Sequence, residues 1–329
     1  MQYNIKNLIN TEVNVGMKKV FIDGSQGTTG LKIYKRFECR DDIQLLHIDE
    51  DKRKDAKERA RLINSSDITF LCLPDEASIE AVSLVENENV TIIDTSTAHR
   101  TNESWAYGFP ELDSSFREKI KSSKRIAVPG CYASGFNSIV YPLVSHGIIS
   151  ASYPVTCYAM SGYTGAGKKG IEQYENPERC EELSSPRQYA LSQQHKHLKE
   201  MKAISRLERA PFFAPHICDY PQGMVVSIPL FTDMLEKKVT PSDLQKIFAE
   251  HYDGEPFVKV RELGYSANMI GSNNFANRDD MEIEINGNDD RILITSRFDN
   301  LGKGASGAAI QCMNIALGVD EKTGLNLGE

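Results

Sequence analysis

From residue 19 onward the chain alternates strand-sized apolar runs with amphipathic stretches, and this alternation limits the fold more than any other feature. Residues 19–23, 43–49, 68–73, 90–96 and 125–128 read as strands. Residues 28–37, a very polar stretch over 52–62, and residues 76–85 read as helices between them. Such repetition predicts βαβ units, and so an α/β, Rossmann-like doubly wound parallel sheet. Ligands of these sheets bind beyond the carboxyl ends of the strands. That rule singles out residues 24–30, Pro74, residues 96–100 and residues 129–131. After about residue 150 the pattern changes. Residues 155–160, 224–230, 258–263, 281–285 and 292–297 read as strands and 242–250 as a helix. The last two strands are joined by the turn-rich Asn286-Gly287-Asn288-Asp289. A second, α+β domain with a largely antiparallel or mixed sheet is therefore expected. The final helix, about 305–317, is expected to return to the first domain.

A length of 329 residues suits two cores rather than one. The expected division is a dinucleotide domain over 17–130 with 301–329, a catalytic and oligomerisation domain over 131–300, and a polar extension over 1–16. That extension lacks the basic start and apolar stretch of a signal peptide. No apolar run nears the roughly 18 residues that span a bilayer, so no membrane contact is expected. Seven cysteines with no CxxC pair argue against a disulfide framework and against bound metal. They point to a reducing compartment, and a cytoplasmic location is expected. A net charge of −8 without a long basic run excludes nucleic acid as the expected partner. One or two placed arginines still suffice to capture a small anion.

Gly24-Ser25-Gln26-Gly27-Thr28-Thr29-Gly30 lies between the first strand and the first helix. Glycines there let the backbone approach a pyrophosphate, and the helix start offers free N–H groups. The spacing is GxxGxxG, so its position at the first βα turn carries the reading. Which phosphorylation state of the dinucleotide is taken stays open on the residues. Asp49 and Glu50 stand where a ribose-binding carboxylate would favour NAD, while Lys52 and Arg53 suit the 2′-phosphate of NADP. All four also fit a solvated loop.

Val128-Pro129-Gly130-Cys131 follows the fifth strand, and Phe136, Ile139, Val140, Leu143 and Val144 then mark a helix face. Pro142 falls inside this pattern and predicts a kink. Cys131 thus sits at a helix start on the carboxyl edge of the sheet. The dipole and backbone N–H groups there predict a thiol held well below its usual range, able to act as a nucleophile. The same N–H groups suit an oxyanion. Cys72, Cys157 and Cys312 lie in apolar stretches and read as packing residues.

Several segments together resemble one family. They are KVFIDGSQGTTGLKI, LCLPDEAS, IIDTSTAHR, YGFPELD, VPGCYASGFNSIVYPLV, SGYTGAGKKGI, QHKHLKEM, FFAPHICDYPQGM and FDNLGKGASGAAIQCMN. In this order they resemble the short-type N-acetyl-gamma-glutamyl-phosphate reductases, within the semialdehyde dehydrogenases. Ala133-Ser134 departs from the Pro-Thr that more often follows the cysteine. The resemblance implies NADPH-dependent reduction of N-acetyl-L-glutamyl 5-phosphate to the 5-semialdehyde and phosphate, in arginine biosynthesis. It implies a Cys131 thioester, and a histidine acid/base, His195 or its rival His197. It implies that Arg100, Ser96 and His197 meet the substrate. It places the cofactor against residues 24–30 and Pro74, with Ser161, Gly162, Gly165 and Asn300 beside the nicotinamide. A homo-oligomer, dimer or tetramer, goes with it. Sister reductases of aspartyl or aminoadipyl phosphate, and a non-catalytic NADP-binding regulator, are the alternatives. Lys168 and Lys169 are too generic to assign.

Overall fold

The computed structural model describes residues 16–266 and 268–328. The expected polar extension lies, except for Gly16, outside them. The first sheet holds β1 (Lys18–Asp23), β2 (Ile43–Leu46), β3 (Ile68–Leu71), β4 (Thr91–Asp94), β5 (Ala106–Tyr107) and β6 (Arg125–Ala127). All its pairings are parallel, in the order β2-β1-β3-β4-β6-β5. The connections reverse direction at β1, between β2 and β3, which opens a crevice at their carboxyl ends. Helices α1 (Thr28–Phe37) and α4 (Ser114–Ser122) pack on one face through Ile33, Phe37 and Ile120. Helices α2 (Ala56–Ser65) and α3 (Asp75–Ser83) pack on the other through Leu62, Ile63 and Ala81.

The polar helix expected over 52–62 starts later, at Ala56. Asp55 caps it, accepting the Lys57 and Glu58 N–H groups, and a short turn over Glu50–Lys52 fills the gap. An N-cap aspartate outweighs the basic Lys52-Arg53-Lys54 before it. The second strand likewise ends at Leu46, not residue 49. Helix α5 (Cys131–Ser145) begins at the cysteine and passes through Pro142. A proline leaves the carbonyl one turn earlier without its helical donor. That carbonyl, Ser138 O, accepts the buried Tyr252 hydroxyl instead (2.7 Å).

The second sheet comprises β7 (Thr156–Gly162), β8 (Arg187–Gln188), β9 (Phe212–Cys218), β10 (Met224–Phe231), β11 (Val258–Val260), β12 (Met281–Gly287) and β13 (Arg291–Phe298). It is mixed: β10 pairs antiparallel with β7 and β13, while β7 and β9 run parallel. Helix α5 and helix α8 (Pro241–His251) cover one face, with Phe136, Val140 and Phe248 against Val226, Ile283 and Ile294. The remaining helices are α6 (Gly167–Glu175), α7 (Leu198–Ile204) and α9 (Gly307–Leu317). Helix α9 follows a π-turn over Gly302–Ser306, and its Ile310 and Met313 pack into the core of the first sheet. Among the described residues no helix is long and apolar enough to cross a membrane.

Candidate active site

The glycine turn is built as the strand–helix junction demands. Gly24 has φ +88°, and a Cβ there would stand 2.3 Å from the Cys72 carbonyl oxygen, so only glycine fits. No side chain caps α1, whose N-cap is Gly27. Its first N–H groups therefore face a polar crevice of about 420 Å³ lined by Gly27, Thr28, Thr29, Pro74 and residues 95–97. A smaller cavity, about 240 Å³, lies past Ser25 against Gln26, Tyr34 and His47. Asp49, Glu50, Lys52 and Arg53 line neither cavity. They pair with one another, Lys52 with Asp49 (3.1 Å) and Arg53 with Glu50 (3.4 Å), as solvated charges of one turn.

A second cavity of about 420 Å³ holds the thiol. Cys131 lines it at the start of α5, together with Arg100, His195, His197, Ser161, Gly162, Gly165 and Asn300. Thr29, Thr95 and Lys196 line both this cavity and the crevice over the glycine turn. Gly130 permits the approach of two further side chains. A Cβ on it would meet the Arg100 guanidinium at 2.4 Å and His197 Nε2 at 2.5 Å.

The thiol itself corrects the expectation. Burial pushes Cys131 up to about 11, against the Arg100 charge and the Tyr132 N–H, which draw it down. The helix start is present, but desolvation outweighs it, and the Glu200 carboxylate adds to the rise. The shift therefore runs opposite to the one expected. Burial also pushes Cys72 and Cys312 up to about 12, and Cys157 is fully buried.

Arg100 is buried and firmly held. Its Nε donates to Val128 O (2.8 Å), one terminal nitrogen to Thr95 O (2.9 Å) and the other to Glu200 (3.1 Å). The loop that carries it is braced by Asp94, which accepts from Ser78, Ser96 and His99. His99 stacks on Trp105 with 4.1 Å between ring centroids. The Ser96 hydroxyl is spent on Asp94 (2.7 Å), and Ser96 lines the glycine-turn crevice rather than the thiol cavity.

His195 and His197 precede α7, and their rings meet edge to face at 4.7 Å. His195 Nδ1 accepts the His197 backbone N–H (3.1 Å), which leaves Nε2 to carry the proton of the neutral ring. Burial, then the charges of Lys196 and Arg100, pull His195 down to about 4. His197 is pushed well below the usual range by burial, Arg100 and His195, and its Nδ1 has no partner among the described residues. Asn300 braces the turn after β7, accepting from Gly223 N–H (2.9 Å) and donating to Thr164 (3.0 Å).

Two residues at this site escaped the sequence reading. Glu200, buried on α7, accepts from Gly130 N–H (2.9 Å), Tyr107 hydroxyl (2.7 Å) and Arg100. Lys196 stands at the junction of the two cavities. Among the described residues no group of three or more histidine, cysteine or acidic side chains stands ready for a metal ion.

A parallel sheet with a glycine turn, joined to a mixed sheet at a cysteine-bearing cavity, defines a semialdehyde dehydrogenase. Family models match residues 7–123 as the NAD binding domain of semialdehyde dehydrogenase and residues 131–300 as its dimerisation domain. The cofactor is accordingly a nicotinamide dinucleotide. The N-acetyl-gamma-glutamyl-phosphate reductase 2 of Nostoc sp. is 43% identical over 318 residues, covering 93% of this chain and 99% of its own. The enzyme of that name from Sinorhizobium fredii is 44% identical over 303 residues, covering 91% and 98%. The chain belongs to the N-acetyl-gamma-glutamyl-phosphate reductase family. In fold it also matches the solved aspartate semialdehyde dehydrogenase of Francisella tularensis, with TM-score 0.67 over 91% of this chain and 99% of the other at 15% identity.

Proposed function

We propose that this protein reduces N-acetyl-L-glutamyl 5-phosphate to N-acetyl-L-glutamate 5-semialdehyde with NADPH, releasing phosphate, in arginine biosynthesis. The carrying observation is that Cys131 opens on a cavity that shares Thr29, Thr95 and Lys196 with the glycine-turn crevice. The crevice fits a dinucleotide: the uncapped start of α1 supplies N–H donors, and Gly27 leaves them open to an approaching pyrophosphate. NADP is the form proposed on the family resemblance; among the described residues neither the Asp49 and Glu50 carboxylates nor Lys52 and Arg53 line the Ser25–His47 end of the groove.

Cys131 attacks the acyl carbon, the bond to the phosphate oxygen breaks, and the thiol proton leaves on hydrogen phosphate. The nicotinamide, when bound, supplies the hydride that reduces the thioester. His195 Nε2–H, which lies 3.4 Å from the Tyr189 hydroxyl in the same cavity as Cys131, is the donor for the oxygen that becomes negative on the Cys131 adduct. The carbon–sulfur bond then breaks, releasing the aldehyde, and the sulfur takes up a proton. Arg100, fixed by two carbonyls and Glu200, keeps further N–H groups for the substrate carboxylate.

Residues 17–130 with 301–329 act as the cofactor domain, an assignment supported by α9 packing in the core of the first sheet. Residues 131–300 carry catalysis and self-association. Tyr158, Met160, Phe212, Phe231 and Leu293 are exposed on the second sheet, and the pairing register puts them on one face. A second copy of this chain covers that apolar face. Replacing Tyr158 and Met160 together by aspartate is expected to shift the oligomer toward monomer in sedimentation velocity. An unchanged sedimentation coefficient would place the interface elsewhere.

The reaction is tested in reverse, with N-acetyl-L-glutamate 5-semialdehyde, phosphate and either NADP or NAD. Turnover with that aldehyde and a higher kcat/KM for NADP are expected. Turnover of aspartate semialdehyde alone would assign the chain to the sister reaction.

A further inference from the structure

An acyl phosphate brings two anionic ends, a carboxylate and a phosphoryl group, into a cavity whose lysine and arginine lining among the described residues is Arg100 and Lys196. Arg100 is anchored: Val128 O, Thr95 O and the Glu200 carboxylate take donors from all three of its nitrogens, and Glu200 offsets its charge. Lys196 is the contrasting case. The ion pairs at this site, Arg100–Glu200 and Asp94–His99, leave it without a carboxylate partner among the described residues. It is exposed at the neck where the thiol cavity meets the glycine-turn crevice, beside the hydroxyl-bearing Thr29 and Thr95. Its charge reaches the reacting groups, opposing protonation of His195 and His197 and drawing down the Cys131 thiol. The dinucleotide's pyrophosphate has its own donors at the uncapped start of α1. The phosphoryl group of the substrate has none there.

We propose that Lys196 is the phosphoryl-binding residue of the reaction, holding the acyl phosphate's phosphoryl group at the neck and inorganic phosphate in the reverse direction. This rests on the acyl-phosphate reading above. As the Cys131 sulfur bonds to the acyl carbon, the carbon–oxygen bond to phosphate breaks and its electron pair goes to the departing oxygen. That oxygen takes the thiol proton. The Lys196 ammonium balances the charge through charge-assisted hydrogen bonds, which are about twice as strong as neutral ones. Its flexible stem lets the phosphate leave afterwards, where a fixed guanidinium would retain it.

The test uses the full-length protein in reverse, with aldehyde, NADP and varied inorganic phosphate. Lys196→Gln is expected to raise KM for phosphate by about tenfold or more, the worth of one charged hydrogen bond. KM for NADP should stay within about twofold, and Lys196→Arg should recover part of the loss. An unchanged phosphate KM in Lys196→Gln would overturn the assignment. So would an equal rise in KM for NADP, which would give Lys196 to the cofactor's pyrophosphate. If the wild type turns over aspartate semialdehyde instead, the substrate reading fails. The same phosphate comparison on that aldehyde then still decides for or against Lys196.

Discussion

Cys131→Ser is expected to lower kcat by at least about 10³-fold while leaving fold, dinucleotide binding and oligomeric state in place. Serine keeps the shape of the side chain at the start of α5, so the packing of Gly304 against Cys131 is undisturbed. What is lost is the nucleophile: a hydroxyl is far harder to ionise than a thiol, even beside the neutral His195 and His197, and an ester is a poorer hydride acceptor than a thioester. Isothermal titration with NADPH separates the two effects, because binding should persist while turnover fails. Wild-type turnover by the serine variant would end the covalent mechanism. The same sulfur makes a pH prediction. With the thiol pushed up to about 11, its alkylation by iodoacetamide in the unliganded protein should rise about tenfold per pH unit above neutrality and level near 11. Cys39 and Cys180 are exposed and free, so the modified residue must be mapped by peptide mass. A rate already flat between pH 7 and 9 would mean that the thiolate forms without ligand.

That pH dependence also marks where the sequence stopped being readable. The glycine turn and the cysteine at a helix start are local patterns, and both stand where their strand–helix junctions put them. The state of the thiol is not local. It depends on burial by α5 and the second sheet, and on a carboxylate 70 residues from Gly130 and 100 from Arg100. Glu200 sits on a seven-residue helix too short to show a period, and a glutamate among lysines reads as a solvated face. The Asp49–Arg53 charges left several readings open, a solvated loop among them. Their spacing fits a ribose or a 2′-phosphate, yet they satisfy one another within a single turn and stay outside the groove. Of the two short strands, β5 and β8, each has two residues, too few for any alternation to register. The two histidines were legible as a pair, but which nitrogen carries the proton follows from one backbone N–H that only the loop before α7 supplies.

Glu200→Ala is expected to cost about 3–5 kcal/mol of stability, because it leaves the buried Arg100 charge without its partner. It also strips the Tyr107 hydroxyl and the Gly130 N–H of their shared acceptor, Oε1. Urea unfolding measures the loss, and a change below about 1 kcal/mol would show that water replaces the carboxylate at little expense. Glu200→Gln separates charge from shape. Its Oε1 still accepts from Gly130 and Tyr107, whereas its amide nitrogen faces the Arg100 donor that Oε2 now receives at 3.1 Å. Glu200 raises the Cys131 thiol and Arg100 lowers it, so removing the negative charge tips the balance toward the thiolate. The alkylation profile of Cys131 should therefore move to lower pH in Glu200→Gln, although the nucleophile is untouched. Glu200 would then govern when the sulfur ionises, restraining it in the empty site. A profile that stays put would confine Glu200 to holding the Pro129–Gly130 bend and Arg100 in position.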